Sequence, residues 1–197
     1  ITSVDRDDLP DGGASVFAAC IERIRERASA CRVEVLTPDF QGDWLALQSV
    51  LAARPAVMNH NIETVARLQR RVRPSASYAR SLSVLARAGA AGLTTKSSII
   101  VGLGETDAEV DACLADLAAV GCDIVTIGQY LRPSAAHLPV ARYYHPDEFA
   151  ALKQAAVALG FGHVESGPLV RSSYHADAQA EAFVAGQPGA EALGEHR

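Results

Sequence analysis

Segments with a strand's character alternate with segments of helical spacing along most of this chain, and that alternation restricts its fold more than any other feature. Short β-branched or apolar runs occupy residues 33–36, 57–60, 94–101 and 124–129. Between and after them lie stretches at 14–28, 43–53, 77–89, 107–120 and 146–159, whose apolar residues recur every three or four positions. Phe17, Ile21 and Ile24 make one such stripe, and Val110, Leu114 and Leu117 another. Pro146 followed by Asp147 and Glu148 is a helix start, and Gly160 is a stop. Strand, helix, strand, helix predicts parallel strands joined by crossover helices, in a barrel or a doubly wound sheet.

A polar motif follows each strand. Residues 3–8 and 11–13 come after the opening apolar residues, and Thr37-Pro38-Asp39-Phe40-Gln41-Gly42 follows the next run. Asn59-His60-Asn61-Ile62-Glu63-Thr64, Gly102-Leu103-Gly104-Glu105-Thr106 and Gly128-Gln129-Tyr130-Leu131-Arg132-Pro133 complete the set. In parallel β/α barrels the active site is built from the loops at the C-terminal ends of the strands, so motifs in phase with strands point to one shared site. Any one of them alone is also what an ordinary turn requires.

Asn59, Asn61 and Glu63 alternate along one strand end and are expected to project to the same side, a row able to hydrogen-bond vicinal hydroxyls such as those of a ribose. His60 then points the other way, as a hydrogen-bonded core histidine. The loop from Gly102 to Glu105 lacks the third glycine of a dinucleotide fingerprint and the Lys-Ser/Thr of a P-loop. A close backbone approach to an adenine ring stays open for it, as does an ordinary turn with Glu105 favouring the next helix. Near the end, Ser166-Gly167-Pro168 reads as a turn leading into a serine-capped helix, and Ser172 with His175 lacks the elbow glycines of a hydrolase.

With 197 residues the chain supports one sizeable core. Its 49% hydrophobic and 21% charged residues and net charge of −5 describe a globular protein, with no basic surplus to suggest nucleic acid and no apolar run long enough for a membrane. Ile1-Thr2-Ser3-Val4 reads as the tail of a buried strand, so the chain is expected to be a fragment lacking its N-terminal part. Cys20, Cys31, Cys113 and Cys122 form no close pair and lie in or beside helical stretches, as buried or half-buried thiols of a reducing cytoplasm do.

Nine strings, in this order, resemble the lipoyl synthase family of radical SAM enzymes over residues 1–177. They are ITSVDRDDLPDGGA at 1–14, EVLTPDFQG at 34–42, NHNIET at 59–64, VRPSASY at 72–78, TKS at 95–97, VGLGET at 101–106, IGQYLRP at 127–133, HLPV at 137–140 and GPLVRSSYHAD at 167–177. One such string is weak; nine in register are specific.

The resemblance implies an α/β fold, a partial (β/α) barrel of the radical SAM (TIM-barrel-like) type, N-terminally truncated, over 1–177; the mixture of Ala, Gly and Glu at 178–197 reads as a flexible tail. The resemblance also implies an enzyme, a sulfurtransferase that uses S-adenosylmethionine and two [4Fe-4S] clusters, one of them sacrificed as the sulfur source. A 5′-deoxyadenosyl radical would open the way to two sulfur insertions in an octanoyl chain on a lipoyl-carrier protein. An electron donor is implied, in the cytoplasm, without nucleic acid or membrane. Carried over residue by residue, Asn59, Asn61 and Glu63 would hold the ribose, and Gly102, Gly104 and Glu105 would support the adenine. Ser3, Asp5 and Lys96 would face the methionine end, with Lys96 pairing its carboxylate. Ser172, or Ser173 beside it, resembles the serine ligand of the auxiliary cluster, the one metal ligand carried over; no catalytic side chain is.

The sequence departs from the pattern at Ser98, where the family has glycine. The family's CxxxCxxC motif and its second three-cysteine motif match none of the four cysteines, so the chain by itself is expected to be inactive. The rival readings are a non-catalytic remnant that binds a lipoyl-carrier domain and a biotin-synthase-like sulfur inserter, which shares the Asn-His-Asn string. Arg171-Ser172-Ser173-Tyr174 favours lipoyl synthase.

Overall fold

A computed structural model describes residues 1–173, so the expected tail at 178–197 and the end of the last string lie outside the described residues. Five strands form one sheet: β1 (Glu34–Leu36), β2 (Val57–Asn59), β3 (Thr94–Val101), β4 (Ile124–Gln129) and β5 (His163–Gly167). They stand in sequential order and every pairing is parallel. The helices are α1 (Ala14–Arg27), α2 (Trp44–Ala52), the short α3 (Gln69–Val72), α4 (Tyr78–Ala90), α5 (Asp107–Ala119) and α6 (Pro146–Ala158).

Sequential parallel order sends each crossover to the same face of the sheet, the winding of a partial (β/α) barrel. Alternation along the strands then separates two faces. Val35 and Met58 pack with Phe17, Ile21, Leu47 and Val50 of α1 and α2, and Ile99, Val125, Ile127 and Val164 pack with Leu114, Leu117 and Phe149 of α5 and α6. The opposite face carries Glu34, Asn59, Lys96, Ser98, Thr126, His163 and Glu165, a polar floor for the barrel interior.

The helix signals in the sequence have physical counterparts. Thr106 and Glu109 form a capping box at the start of α5, and His145 and Glu148 form one ahead of Pro146 in α6. Gly160 takes φ 92° just beyond α6.

Two expectations need correction. Residues 163–167 form β5, paired with β4 from Ile124↔His163 to Gly128↔Gly167, so Ser166 and Gly167 end a strand and the expected turn begins at Pro168, with Val170 N–H donating to Gly167 O at 3.1 Å; the serine-capped helix expected after it lies outside the described residues. The polar side chains of β5 mask the strand, whose template is β4. The opening residues do pair in parallel with β1, through Leu36 N–H to Ile1 O at 2.8 Å and a Thr2↔Leu36 bridge. They are not buried, however: Ile1 is 45% exposed and Val4 77%. Among the cysteines, Cys113 and Cys122 are buried, whereas Cys31 is exposed.

Candidate functional site

The chain leaves β2 through a bulge. Asn59 pairs with Lys96 and Glu63 with Ile99, so four steps on one strand oppose three on the other. Ser97 holds the extra residue in place: its hydroxyl donates to His60 O at 2.9 Å and accepts from Ile62 N–H at 3.1 Å. Glu63 N–H donates to Ser98 O and Glu63 O accepts from Ile100 N–H, with Glu63 at φ 68°. A non-glycine residue in the left-handed region is strained unless its surroundings fix it, and such residues cluster at functional sites.

The bulge divides the expected row. Asn61 and Glu63 turn together into a cavity of about 120 Å³ that is also lined by Thr2, Ser3, Asp5, Thr37 and Arg73. Asn61 Nδ2 donates to Glu63 Oε1 at 3.1 Å, and Arg73 Nη1 donates to Asn61 O at 2.9 Å. Burial pushes the Glu63 carboxyl above its ordinary range, against the opposing influence of Asn61 and Arg73. Asn59 does not line the cavity; its Nδ2 donates to Glu34 Oε1 at 3.1 Å on the sheet floor.

Two of the cavity's polar atoms have no partner among the described residues: Thr37 Oγ1 and Asn61 Oδ1 are both buried and unbonded. Buried polar groups are nearly always satisfied, so such atoms mark places where a ligand or water is missing. With a carboxylate, an amide and a hydroxyl converging there, the donor and acceptor set suits the vicinal hydroxyls of a ribose.

Lys96 lies elsewhere. It has no exposed surface, and its ammonium meets Glu34 Oε1 at 3.1 Å and Oε2 at 3.3 Å. This ion pair spans β2 to join β1 to β3, and Lys96 is not among the residues lining the small cavity.

His60 is fully buried, with Nδ1 2.9 Å from Thr37 O and Nε2 2.9 Å from Ser81 Oγ. Burial drops its pKa to about 4, so it is a neutral structural brace between β1, the bulge and α4.

The glycine loop after β3 is closed by its own acid. Glu105 accepts from the N–H groups of Gly102 and Leu103, and from Tyr144 Oη at 2.9 Å. Those amides are therefore occupied, and Glu105 is not the first-turn acid of α5, which Thr106 caps. Gly102 and Gly104 take φ 102° and 103°, and a Cβ at Gly102 would come within 2.6 Å of Arg142 O. The segment around Ala141–Tyr144 thus lies directly on this loop, held by Ala141 N–H to Gly102 O at 2.8 Å.

A second close approach brings in the chain's last described residues. A Cβ at Gly128 would meet Val170 O at 2.3 Å, so the glycine of β4 lets the backbone after β5 cross against it. Ser172, half-buried, and Ser173, exposed, follow that crossing. Among the described residues no three His, Cys, Asp or Glu side chains are grouped to hold a metal ion. Burial raises the thiols of Cys113 and Cys122 to about 11 and 12, the opposite of what a thiolate ligand needs. The described side chains do not themselves assemble an iron–sulfur site.

Sequence reasoning did not single out Thr37 or Arg73 as binding residues, although both lie inside quoted strings. Their signal appears only when β1, the bulge and the loop before α4 converge. No helix among the described residues is long and apolar enough to cross a membrane.

The pattern described as the Radical SAM superfamily matches residues 1–117. The chain is 60% identical over 183 residues to a lipoyl synthase of Rubrobacter xylanophilus, covering 92% of the chain and 57% of the relative. Lipoyl synthases of Roseiflexus and Oleidesulfovibrio alaskensis are each 58% identical, over 89% of the chain and 59% and 60% of their own lengths. The chain thus spans less than two thirds of these relatives. In fold it is similar to a domain of pyruvate-formate lyase-activating enzyme from Bacteroides vulgatus, with a TM-score of 0.62 at 11% identity, covering 85% of the chain and 98% of that domain.

Proposed function

Because this chain belongs to the radical SAM superfamily, we propose that it forms the cofactor- and substrate-facing part of a lipoyl synthase, which inserts two sulfur atoms into an octanoyl chain on a lipoyl-carrier protein. The similarity to lipoyl synthases over about nine-tenths of the chain supports the choice within the superfamily. The observation that carries the site is the strained Asn61–Glu63 turn, facing a cavity with two unbonded buried polar atoms.

In this reading Asn61 and Glu63 receive the ribose hydroxyls of S-adenosylmethionine, with the Thr37 hydroxyl beside them. Ser3 and Asp5 border the same cavity and serve the methionine end. The Gly102–Glu105 loop, already closed on itself by Glu105, presents a fixed backbone edge to the adenine. Asn59 acts from below, through Glu34, as part of the floor. When bound and reductively cleaved, S-adenosylmethionine supplies the hydrogen-abstracting chemistry that an unactivated C–H bond requires. What the protein contributes is placement: ribose and acyl chain must be fixed relative to each other and kept from water.

The [4Fe-4S] clusters draw their ligands from outside the described residues, apart from Ser172 or Ser173 at the crossing over Gly128. Without those ligands the stretch is inactive by itself, and it acts with an electron donor and an octanoylated carrier in the cytoplasm. The test is to express the protein anaerobically from its complete coding sequence and incubate it with an octanoylated carrier domain, S-adenosylmethionine and a reductant. A carrier mass increased by two sulfur atoms supports the reading. An unchanged carrier from iron-loaded protein that cleaves S-adenosylmethionine would sink the lipoyl assignment.

A further inference from the structure

We propose that Arg70 and Arg71, on α3, form a docking patch for an acidic surface of the octanoylated carrier protein. This rests on the lipoyl synthase reading and places the protein substrate on the rim of the barrel. Arg67, Arg70, Arg71 and Arg73 fall within seven residues of a chain whose net charge is −5. The outer two tie the segment down. Arg67 donates to Gly104 O at 2.9 Å and pairs with Glu109 at 2.6 Å, which joins it to the region after β3. Arg73 donates to Asn61 O at 2.9 Å, which joins it to the bulge after β2. From α4, Arg80 bonds Asp39 at 2.7 Å and Ser75 O at 2.9 Å, so the loop following α3 is joined to the loop after β1. The support for α3 is therefore fixed at the C-terminal ends of three neighbouring strands.

Arg70 and Arg71 lie between these ties and are spared by them. Both are exposed, and neither makes a hydrogen bond or ion pair with a described residue. Arg70 stands three positions from Arg67 and from Arg73, a spacing at which like charges repel on a helix. A helix of one turn has little hydrogen bonding of its own to offset that repulsion. A basic run that the fold supports rigidly but does not neutralise is complementary to an acidic partner. Guanidinium forks suit that role, because each takes a carboxylate through two parallel hydrogen bonds. The position indicates which partner. An acyl chain delivered on a carrier reaches the cavity only if the carrier's surface meets its rim, and Arg73, the last of the run, lines that cavity. Two free arginines on an acidic chain are too few for nucleic acid, whose binding draws on many phosphate contacts.

The experiment uses protein expressed anaerobically from the complete coding sequence, with an octanoylated carrier domain as the probe. Binding is followed by biolayer interferometry at about 50 mM and about 300 mM salt. The double variant Arg70→Glu, Arg71→Glu should bind the carrier about tenfold or more weakly at the lower salt, largely through slower association, and the difference should shrink at the higher. A carrier whose acidic residues beside the acylated lysine are changed to lysine should regain affinity for that variant and lose it for the wild type. The neutral pair Arg70→Gln, Arg71→Gln should show a smaller loss in the same direction, and it covers the case in which charge reversal prevents folding. Carrier affinity unchanged in either folded variant overturns the patch and leaves the lipoyl synthase reading in place. If the variants instead lose binding only to vesicles of phosphatidylcholine and phosphatidylserine, the arginines serve a lipid surface and the carrier assignment falls. A wild type that binds S-adenosylhomocysteine but no octanoylated carrier sinks the lipoyl synthase reading and the patch with it.

Discussion

Asn61 Nδ2 donates to Glu63 Oε1 across 3.1 Å, at the point where the chain leaves β2 through a left-handed residue. The contact sets both side chains on one cavity wall, although the bulge between β2 and β3 has broken the simple alternation that a continuous strand would impose. Burial raises the Glu63 carboxyl, and the Asn61 amide and the Arg73 charge only partly offset that.

A raised carboxyl makes stability depend on pH. The folded chain binds the Glu63 proton more tightly than the unfolded chain, so stability falls as pH rises from the ordinary carboxyl value near 4.5 through the raised folded value. Glu63→Gln removes the cost of an ionised carboxylate and keeps the amide contact with Asn61. Its melting temperature should therefore exceed the wild type's at neutral pH, and the two should converge at about pH 4. Melting curves between these limits check this; a variant less stable throughout would show that the carboxylate is satisfied in the fold.

His60 titrates in the opposite sense. Its neutral ring bridges Thr37 O and Ser81 Oγ, and its pKa is lowered to about 4 from 6.5. The unfolded chain takes up a proton before the folded one does, so stability is lost as pH falls from 6.5 towards 4. The full displacement corresponds to about 3 kcal/mol as an upper bound. Denaturant titrations at pH 7 and 4.5 should show the loss in the wild type, and His60→Gln should be less stable at pH 7 but flatter across this range. An equally steep loss in the variant would place the acid sensitivity elsewhere.

Glu34 and Lys96 form a buried ion pair whose two halves are not equivalent. Lys96 is wholly buried while the Glu34 side chain is 23% exposed, so Glu34→Gln strands an ammonium with no other anion in contact among the described residues. Breaking such a pair costs about 3–5 kcal/mol, whereas replacing both partners with apolar residues is often close to neutral. Glu34→Gln should thus lower stability by about that amount, and the double variant Glu34→Met, Lys96→Met should recover most of it. Chemical denaturation of the three proteins decides; a double variant as unstable as the single one would mean that Asn59, which also bonds Glu34, dominates the site.

What could be read in the sequence followed from rules of local range. Periodicity located five of the six helices, missing the one-turn α3, and four of the five strands, and the polar strings at strand ends located the loops that converge. His60 could be placed off the polar row because alternation still holds at the start of the bulge. Pairing geometry was beyond such rules. The extra residue between Asn59 and Glu63 exists because Ser97 can satisfy Ile62 N–H and His60 O at once, a contact between residues 35 or more positions apart. Lys96 is likewise claimed by Glu34, 62 residues away. Gly102–Glu105 looked open because nothing in the string reveals that the Glu105 carboxylate folds back onto the loop's own amides. Strand β5 was missed because polar residues facing a barrel interior carry no apolar signature.

Gly128 connects the sheet to the segment bearing Ser172, and it tests whether that connection holds the segment in place. Its Cα lies where a Cβ would meet Val170 O at 2.3 Å and Arg171 Nη1 at 3.2 Å. The first of these is backbone and cannot rotate away, so Gly128→Ala must displace the chain after Gly167 or move β4. Since β4 is buried between β3 and β5, the terminal segment should yield. The expected result is a loss of about 1–3 kcal/mol with faster proteolysis around Leu169–Ser173, while cleavage in the rest of the sheet is unchanged. Limited proteolysis read by mass spectrometry distinguishes the two responses. Uniformly increased cleavage along β3 and β4 would show that the sheet gives way first, and that the crossing over Gly128 is tighter than the strand pairing beneath it.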